Sequence, residues 1–219
     1  MVSKCRRRPP DLPGRAGRPP CEKARGAARS NGSAAGGSVP PKGFYENIKP
    51  RLHRRIGRAL RLAGRVVDIG CGACELVAYL ARTYRQTVIG IDVSGQAFPR
   101  ARRTRAGVRF RCVAGDAARM GFISDQSIDA VVTMWALHEL DRPHAVLAEA
   151  YRILRPGGKV LVVDFPRGSL AQELWGEKYY NLRQVEQMLA RTKFVDVRGR
   201  LIERGQIMWI SARRPVIRP

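Results

Sequence analysis

The sequence predicts a doubly wound α/β domain, and three observations carry that prediction. Short apolar runs alternate with segments of helical periodicity between residues 65 and 165. The runs "VVDI", "VIGI", "AVVTM" and "VLVVD" lack the polar and apolar alternation of a half-exposed strand, as suits a parallel sheet covered on both faces. After the first run, "DIGCGAC" places two glycines where a strand hands over to a helix.

Residues 1–42 are rich in arginine, proline, glycine, alanine and serine, with only Asp11 and Glu22 as acids and no apolar period. They are expected to be a disordered basic tail, which leaves residues 43–214 as the domain. Over Phe44–Ala63, Ile48, Leu52, Ile56, Ala59, Leu60 and Ala63 recur at helical steps, predicting an amphipathic helix broken near Pro50. Its opposite face carries a stripe of Arg51, Arg54, Arg55, Arg58 and Arg61 that could meet an anionic partner. Then follow a strand over Arg65–Gly70, a helix over Cys74–Thr83, a strand over Thr87–Asp92, a helix over Gly95–Arg105 and a strand over Val108–Val113. Ile128–Met134 reads as a strand, Pro143–Leu154 as a helix capped by Asp141, "LRPGGK" as a helix stop and turn, and Lys159–Phe165 as a strand. The stretch "PRGSLAQELWGEKYY" has weak periodicity and suits a connecting lid. Asn181 with Gln184 forms a capping pair for the next helix. Phe194–Glu203 and Gln206–Arg213 then read as closing strands joined around Gly205, a hairpin whose strands are antiparallel.

Composition narrows the partners. The chain of 219 residues is 44% hydrophobic, enough for a buried core, and its 41 basic side chains, 34 of them arginine, stand against 18 acidic ones for a net charge of +23. That excess favours nucleic acid, an anionic membrane surface or an acidic substrate. No apolar run reaches the ~18 residues of a membrane span, and the start of the chain lacks the apolar core of a secretory signal. Cys5, Cys21, Cys71, Cys74 and Cys112 suggest no disulfide framework. The CxxC of Cys71 and Cys74 lacks the second pair that a zinc site needs, so no metal is expected. A reduced, cytoplasmic setting is the simplest expectation.

Ligands of such sheets lie beyond the carboxyl ends of the strands. Gly70 and Gly72 occupy the first turn there, Asp92 ends the second strand where an acid can take a ribose, and Asp116 in "AGDA" is placed to reach a purine edge. A nicotinamide or flavin dinucleotide would use similar parts. Charge separates the two readings, because Asp68 before the glycines and Glu75 in the first helical turn would repel a diphosphate. They would attract a nucleoside bearing an ammonium and a sulfonium.

With these blocks in view, the chain resembles the class I S-adenosylmethionine-dependent methyltransferases, in particular the small type-11 methyltransferase domain. The resemblance rests on "VVDIGCGAC", "IGID", "AGDA", "IDAVVTMWALHEL" and "EAYRILRPGGKVLVVDF" in order, and covers roughly residues 44–213. It implies a Rossmann-like seven-stranded sheet with its last strand antiparallel, and S-adenosylmethionine as cofactor. By position it puts Asp68, Gly70 and Gly72 around the methionine moiety, Asp92 with Val93 at the ribose, and Asp116 with Ala117 at the adenine. Met134 and Trp135 would line the methyl side. The family's third glycine is Cys74 here, a departure bearing on cofactor affinity.

Methyl transfer is an in-line displacement that needs a base only when the acceptor carries a proton. His138, just beyond the fourth strand, is the candidate base. Trp175, Tyr179 and Tyr180 are placed to cover an aromatic or hydrophobic acceptor, and Asp164 ends the fifth strand facing the same pocket. RNA is the alternative acceptor, with six arginines between Arg100 and Arg111 available for phosphates. The Asn-Pro-Pro-Tyr type of tetrapeptide of amino-methylating nucleic-acid enzymes is absent, which favours a small molecule over RNA. A third reading is a cofactor-binding protein without catalysis. The oligomeric state is not legible.

Overall fold

The computed structural model describes residues 43–99 and 109–216. The basic tail expected over residues 1–42 lies outside the described residues, as do residues 100–105 of the helix expected to start at Gly95. Within that segment Gly95–Pro99 forms a turn rather than helix.

Seven strands form one sheet: β1 (Arg65–Ile69), β2 (Thr87–Asp92), β3 (Phe110–Ala114), β4 (Ile128–Met134), β5 (Leu154–Asp164), β6 (Val195–Ile202) and β7 (Ile207–Arg213). Their order is β3-β2-β1-β4-β5-β7-β6, with β7 antiparallel to both neighbours. The expected seven-stranded, doubly wound architecture is therefore observed. The strand order reverses between β1 and β4, which pair in parallel from Val66 with Ala130 to Ile69 with Thr133. That reversal opens a crevice at the strands' carboxyl ends.

The unbroken apolar runs are explained by two cores. In β1, Val66 feeds one and Val67 the other; in β4, Val132 and Val131 do the same; in β5, Leu161 and Val162. Successive side chains point to opposite faces, so a strand covered on both sides is apolar throughout. Helices α1 (Phe44–Ala59) and α2 (Glu75–Tyr84) cover one face through Leu52, Ile56, Leu76 and Leu80. Helices α3 (Pro143–Ile153) and α5 (Leu182–Arg191) cover the other through Val146, Leu147, Val185 and Leu189. No helix among the described residues is long and apolar enough to cross a membrane.

Three local expectations need correction. Pro50 lies inside α1 without breaking it, because Ile48, Leu52 and Ile56 on either side are buried and hold the axis. Asp141 does not cap α3: Pro143 begins the helix, so Arg142 takes the cap position with no side-chain hydrogen bond. The strand after α3 begins at Leu154, which pairs with Ile128, and a register shift before Lys159 absorbs "RPGG", with Gly157 at φ 77°. The capping box of Asn181 and Gln184 forms as expected, with reciprocal hydrogen bonds of 2.9 Å.

Candidate cofactor and acceptor site

The site is built where β1, β2 and β4 end. Gly70 is at φ 71°, and a β-carbon there would overlap that of Ala136. Its smallness lets the chain after β4 approach its own turn, so packing alone requires glycine there. Gly72, at φ 48°, faces open space, and is the glycine that leaves room for a ligand. Asp92 ties the two loops together: its Oδ2 accepts from the Gly72 N–H (2.8 Å) and its Oδ1 from the Ser94 N–H (3.1 Å). Val93 beside it is 81% exposed.

Asp68 is the unusual group. It is 2% exposed, and its Oδ1 has no hydrogen-bond partner among the described residues. Burial, reinforced by the Asp92 charge, pushes its carboxyl up to about 8. Such an orphaned acid is stabilised by a cation arriving in the crevice. Glu75, by contrast, is paired with Lys49 at 2.6 Å, so it does not add the free negative charge that the sequence reading gave it. Asp116 accepts from the Ala118 N–H at 2.8 Å and pairs with Arg142, and Ala117 beside it is buried. This ion pair was not legible in the sequence.

Cys74 adopts a left-handed conformation at φ 59°, a backbone region that favours the glycine it replaces. Its sulfur lies at bonding distance from that of Cys112 in β3, a pairing the cysteine spacing did not suggest, and the Cys71 sulfur is 3.5 Å away. Burial, with Asp68 and Asp92 adding, raises the Cys71 thiol far above its ordinary range.

On the other side of β1, Met134 ends β4 and is half-buried. Trp135 follows at φ 59°, and its ring stacks on Phe165 with centroids 5.2 Å apart. His138 sits on a short 3-10 turn, Leu137–Glu139. Its Nδ1 lies 2.7 Å from Asp164 Oδ1, and its backbone N–H donates to Asp164 Oδ2 at 3.0 Å. Asp164, 1% exposed, thus orients the imidazole. The other ring nitrogen, Nε2, faces Glu177 Oε2 at 3.1 Å and Glu139 Oε1 at 3.8 Å, and the Tyr179 hydroxyl donates to Glu177 at 3.2 Å. Burial alone would lower the His138 pKa, but the hydrogen bond and charge of Asp164, with Glu139 and Glu177, raise it on balance. Glu139 is raised too, by burial first and by Glu177, Asp164 and Asp92, against the lowering effect of His138.

The expected lid contains a short helix, α4 (Leu170–Trp175). Trp175 is 44% exposed and packs near Phe165, Tyr179 is buried against His138 and Phe165, and Tyr180 turns toward the opposite core. Glu139 and Glu177 are the functional candidates that sequence reasoning missed. His138, Glu139 and Glu177 bring one atom each within 4.8 Å of one another, an arrangement suited to a positive charge.

Comparison with known proteins shows what this domain is similar to. Residues 67–162 match the family model described as a methyltransferase domain. Over those residues the chain is similar to a class I methyltransferase domain. The cofactor of such domains is S-adenosylmethionine. A fatty-acid O-methyltransferase of Mycolicibacterium smegmatis is 41% identical over 103 residues, covering 46% of this chain and 36% of that protein. A ubiquinone/menaquinone biosynthesis C-methyltransferase of Desulfotalea psychrophila is 34% identical over 103 residues, covering 47% of this chain and 42% of that one. The chain thus spans less than half the length of these two relatives. The fold is shared with a SAM-dependent methyltransferase from Archaeoglobus fulgidus, with TM-score 0.64, 18% identity, and 77% of this chain and 94% of that one covered.

Proposed function

We propose that the protein transfers a methyl group from S-adenosylmethionine to a small-molecule acceptor by in-line displacement, in a cytoplasmic setting. The observation that carries this reading is the orphaned, buried Asp68 carboxyl beside the open Gly72 turn, a match for a ligand whose amino-acid end is cationic. When bound, the cofactor's sulfonium supplies the activated methyl group. Asp68 would hold the ammonium, Gly70 and Gly72 shape the turn around the methionine moiety, and Asp92 with Val93 receives the ribose. Asp116, already steadied by Arg142, would meet the adenine together with Ala117. Met134 and Trp135 border the methyl side, and His138, held by Asp164, would take the acceptor's proton.

Small-molecule acceptors are supported by the two relatives, whose names specify a fatty acid and quinone biosynthesis. The arginine run proposed for RNA lies mostly outside the described residues. Isotopically labelled S-adenosylmethionine, incubated with the protein and a cell extract then split into small-molecule and RNA fractions, tests the reading. Label is expected in the small-molecule fraction. Label confined to RNA overturns the acceptor class, and failure to bind S-adenosylhomocysteine overturns the function.

A further inference from the structure

On the methyltransferase reading of this site, we infer that the acceptor is a cationic amine, drawn in as an ammonium by Glu139 and Glu177 and deprotonated by His138. This goes beyond the proposed function by naming the acceptor's chemical class.

The argument starts from a charge contrast. The chain carries a net charge of +23, yet Asp68, Asp92, Asp116, Glu139, Asp164 and Glu177 gather at one crevice. Three of them are accounted for: Asp68 and Asp92 face the cofactor pocket, and Asp116 is paired with Arg142. Asp164 is committed to the His138 ring and backbone. Glu139 and Glu177 remain, with side chains 61% and 46% exposed. No lysine or arginine among the described residues forms an ion pair with either, although Arg142, Arg167 and Lys178 are near in sequence. In a protein so rich in arginine, two carboxylates that meet no lysine or arginine among the described residues, and share only the Nε2 side of His138, mark a place for an incoming cation.

Beside them lies an aromatic cluster in which Phe165 and Tyr179 are buried and Trp175 is the exposed member, an independent pointer to the same chemistry. Trp135, Phe165, Trp175 and Tyr179 form a continuous set with centroid separations of 5.2 to 5.8 Å, and Trp175 is exposed. Ring faces attract ammonium groups and give nothing to a carboxylate. An anionic acceptor would meet both acids.

The reaction closes in atoms and charge. The ammonium gives one proton to His138 Nε2 and becomes a neutral amine. Its lone pair then forms the nitrogen–carbon bond to the methyl group as the carbon–sulfur bond breaks and its electron pair passes to sulfur. The products are the methylated ammonium and neutral S-adenosylhomocysteine.

Calorimetry on the full chain saturated with S-adenosylhomocysteine tests this with phenethylamine, 2-phenylethanol and phenylacetate at near-neutral pH. Phenethylamine is expected to bind about tenfold more tightly than the alcohol, and phenylacetate more weakly than either. The double variant Glu139→Gln, Glu177→Gln should abolish most of the amine's advantage, while 2-phenylethanol and S-adenosylhomocysteine bind as before within about twofold. Amine binding no tighter than that of the alcohol, or an advantage that survives the double variant, overturns the inference. So does millimolar Mn2+ conferring tight phenylacetate binding on the wild type, which would make the cluster a metal site. Loss of S-adenosylhomocysteine binding in the wild type instead overturns the methyltransferase reading itself, a result distinct from the others.

Discussion

Asp68→Asn is expected to stabilise the cofactor-free protein at alkaline pH while weakening its hold on the cofactor. The unfolded carboxyl titrates at 3.8 and the native one at about 8. Between those values the native state keeps a proton that the unfolded state has lost, so stability falls as pH rises and levels off above about 8. At about 1.4 kcal/mol per pH unit, the loss between pH 6 and 8 is about 2–3 kcal/mol, or roughly 5–10 °C in Tm for a domain of this size. Asparagine does not titrate and should remove this slope. Thermal melts of both proteins across that range read the difference directly, because every other titrating group is common to the pair. The same carboxyl should ionise when an ammonium docks against it. S-adenosylhomocysteine binding at pH 7 is therefore expected to expel close to one proton, read by calorimetry in buffers of unlike ionisation enthalpy. In Asp68→Asn the proton release should vanish and affinity should drop by about ten- to a hundredfold. Parallel Tm profiles, together with unchanged proton release, would refute the assignment of Asp68 as the orphaned acid that the cofactor satisfies.

Three further outcomes are expected. His138 must be unprotonated to act as a base, so turnover should rise with pH through its raised pKa; in Asp164→Asn burial then dominates, and that limb should move to lower pH with maximal turnover down about ten- to a hundredfold. An unmoved limb in the pH–rate profile would remove Asp164 from the mechanism. Gly70→Ala should destabilise the fold by about 2–4 kcal/mol, because the new methyl meets Ala136 at a positive φ, whereas Gly72→Ala should cost little in Tm and act mainly on cofactor affinity. Equal effects of the two on denaturant unfolding would contradict that division of labour. Asn181→Ala removes the cap of α5 and should lower stability by about 1 kcal/mol with no change in S-adenosylhomocysteine affinity.

The sheet was legible because its strands are written into contiguous stretches. The bounds of β2 and β4 are those read from the sequence, since a strand with a core on each side carries an apolar run through its middle and stops where the chain leaves the sheet. On the proposed acceptor side Asp164, Trp175, Tyr179 and His138 were named from the sequence, but not the carboxylates Glu139 and Glu177 that face the His138 ring. Its partners come from separate loops, and Glu177 stands 39 residues away, a distance over which periodicity carries no information. The pairing of Cys74 with Cys112 was hidden for the same reason, being created by the neighbouring positions of α2 and β3. Charge reasoning from sequence failed at Glu75 in an instructive way. An acid in a first helical turn reads as repelling phosphate, but Lys49 on α1 is brought to 2.6 Å and cancels it. What survives is Asp68, whose charge is costly because the fold buries it without a partner. On the proposed function, selectivity for a cationic ligand comes from this unmet electrostatic need deep in the crevice.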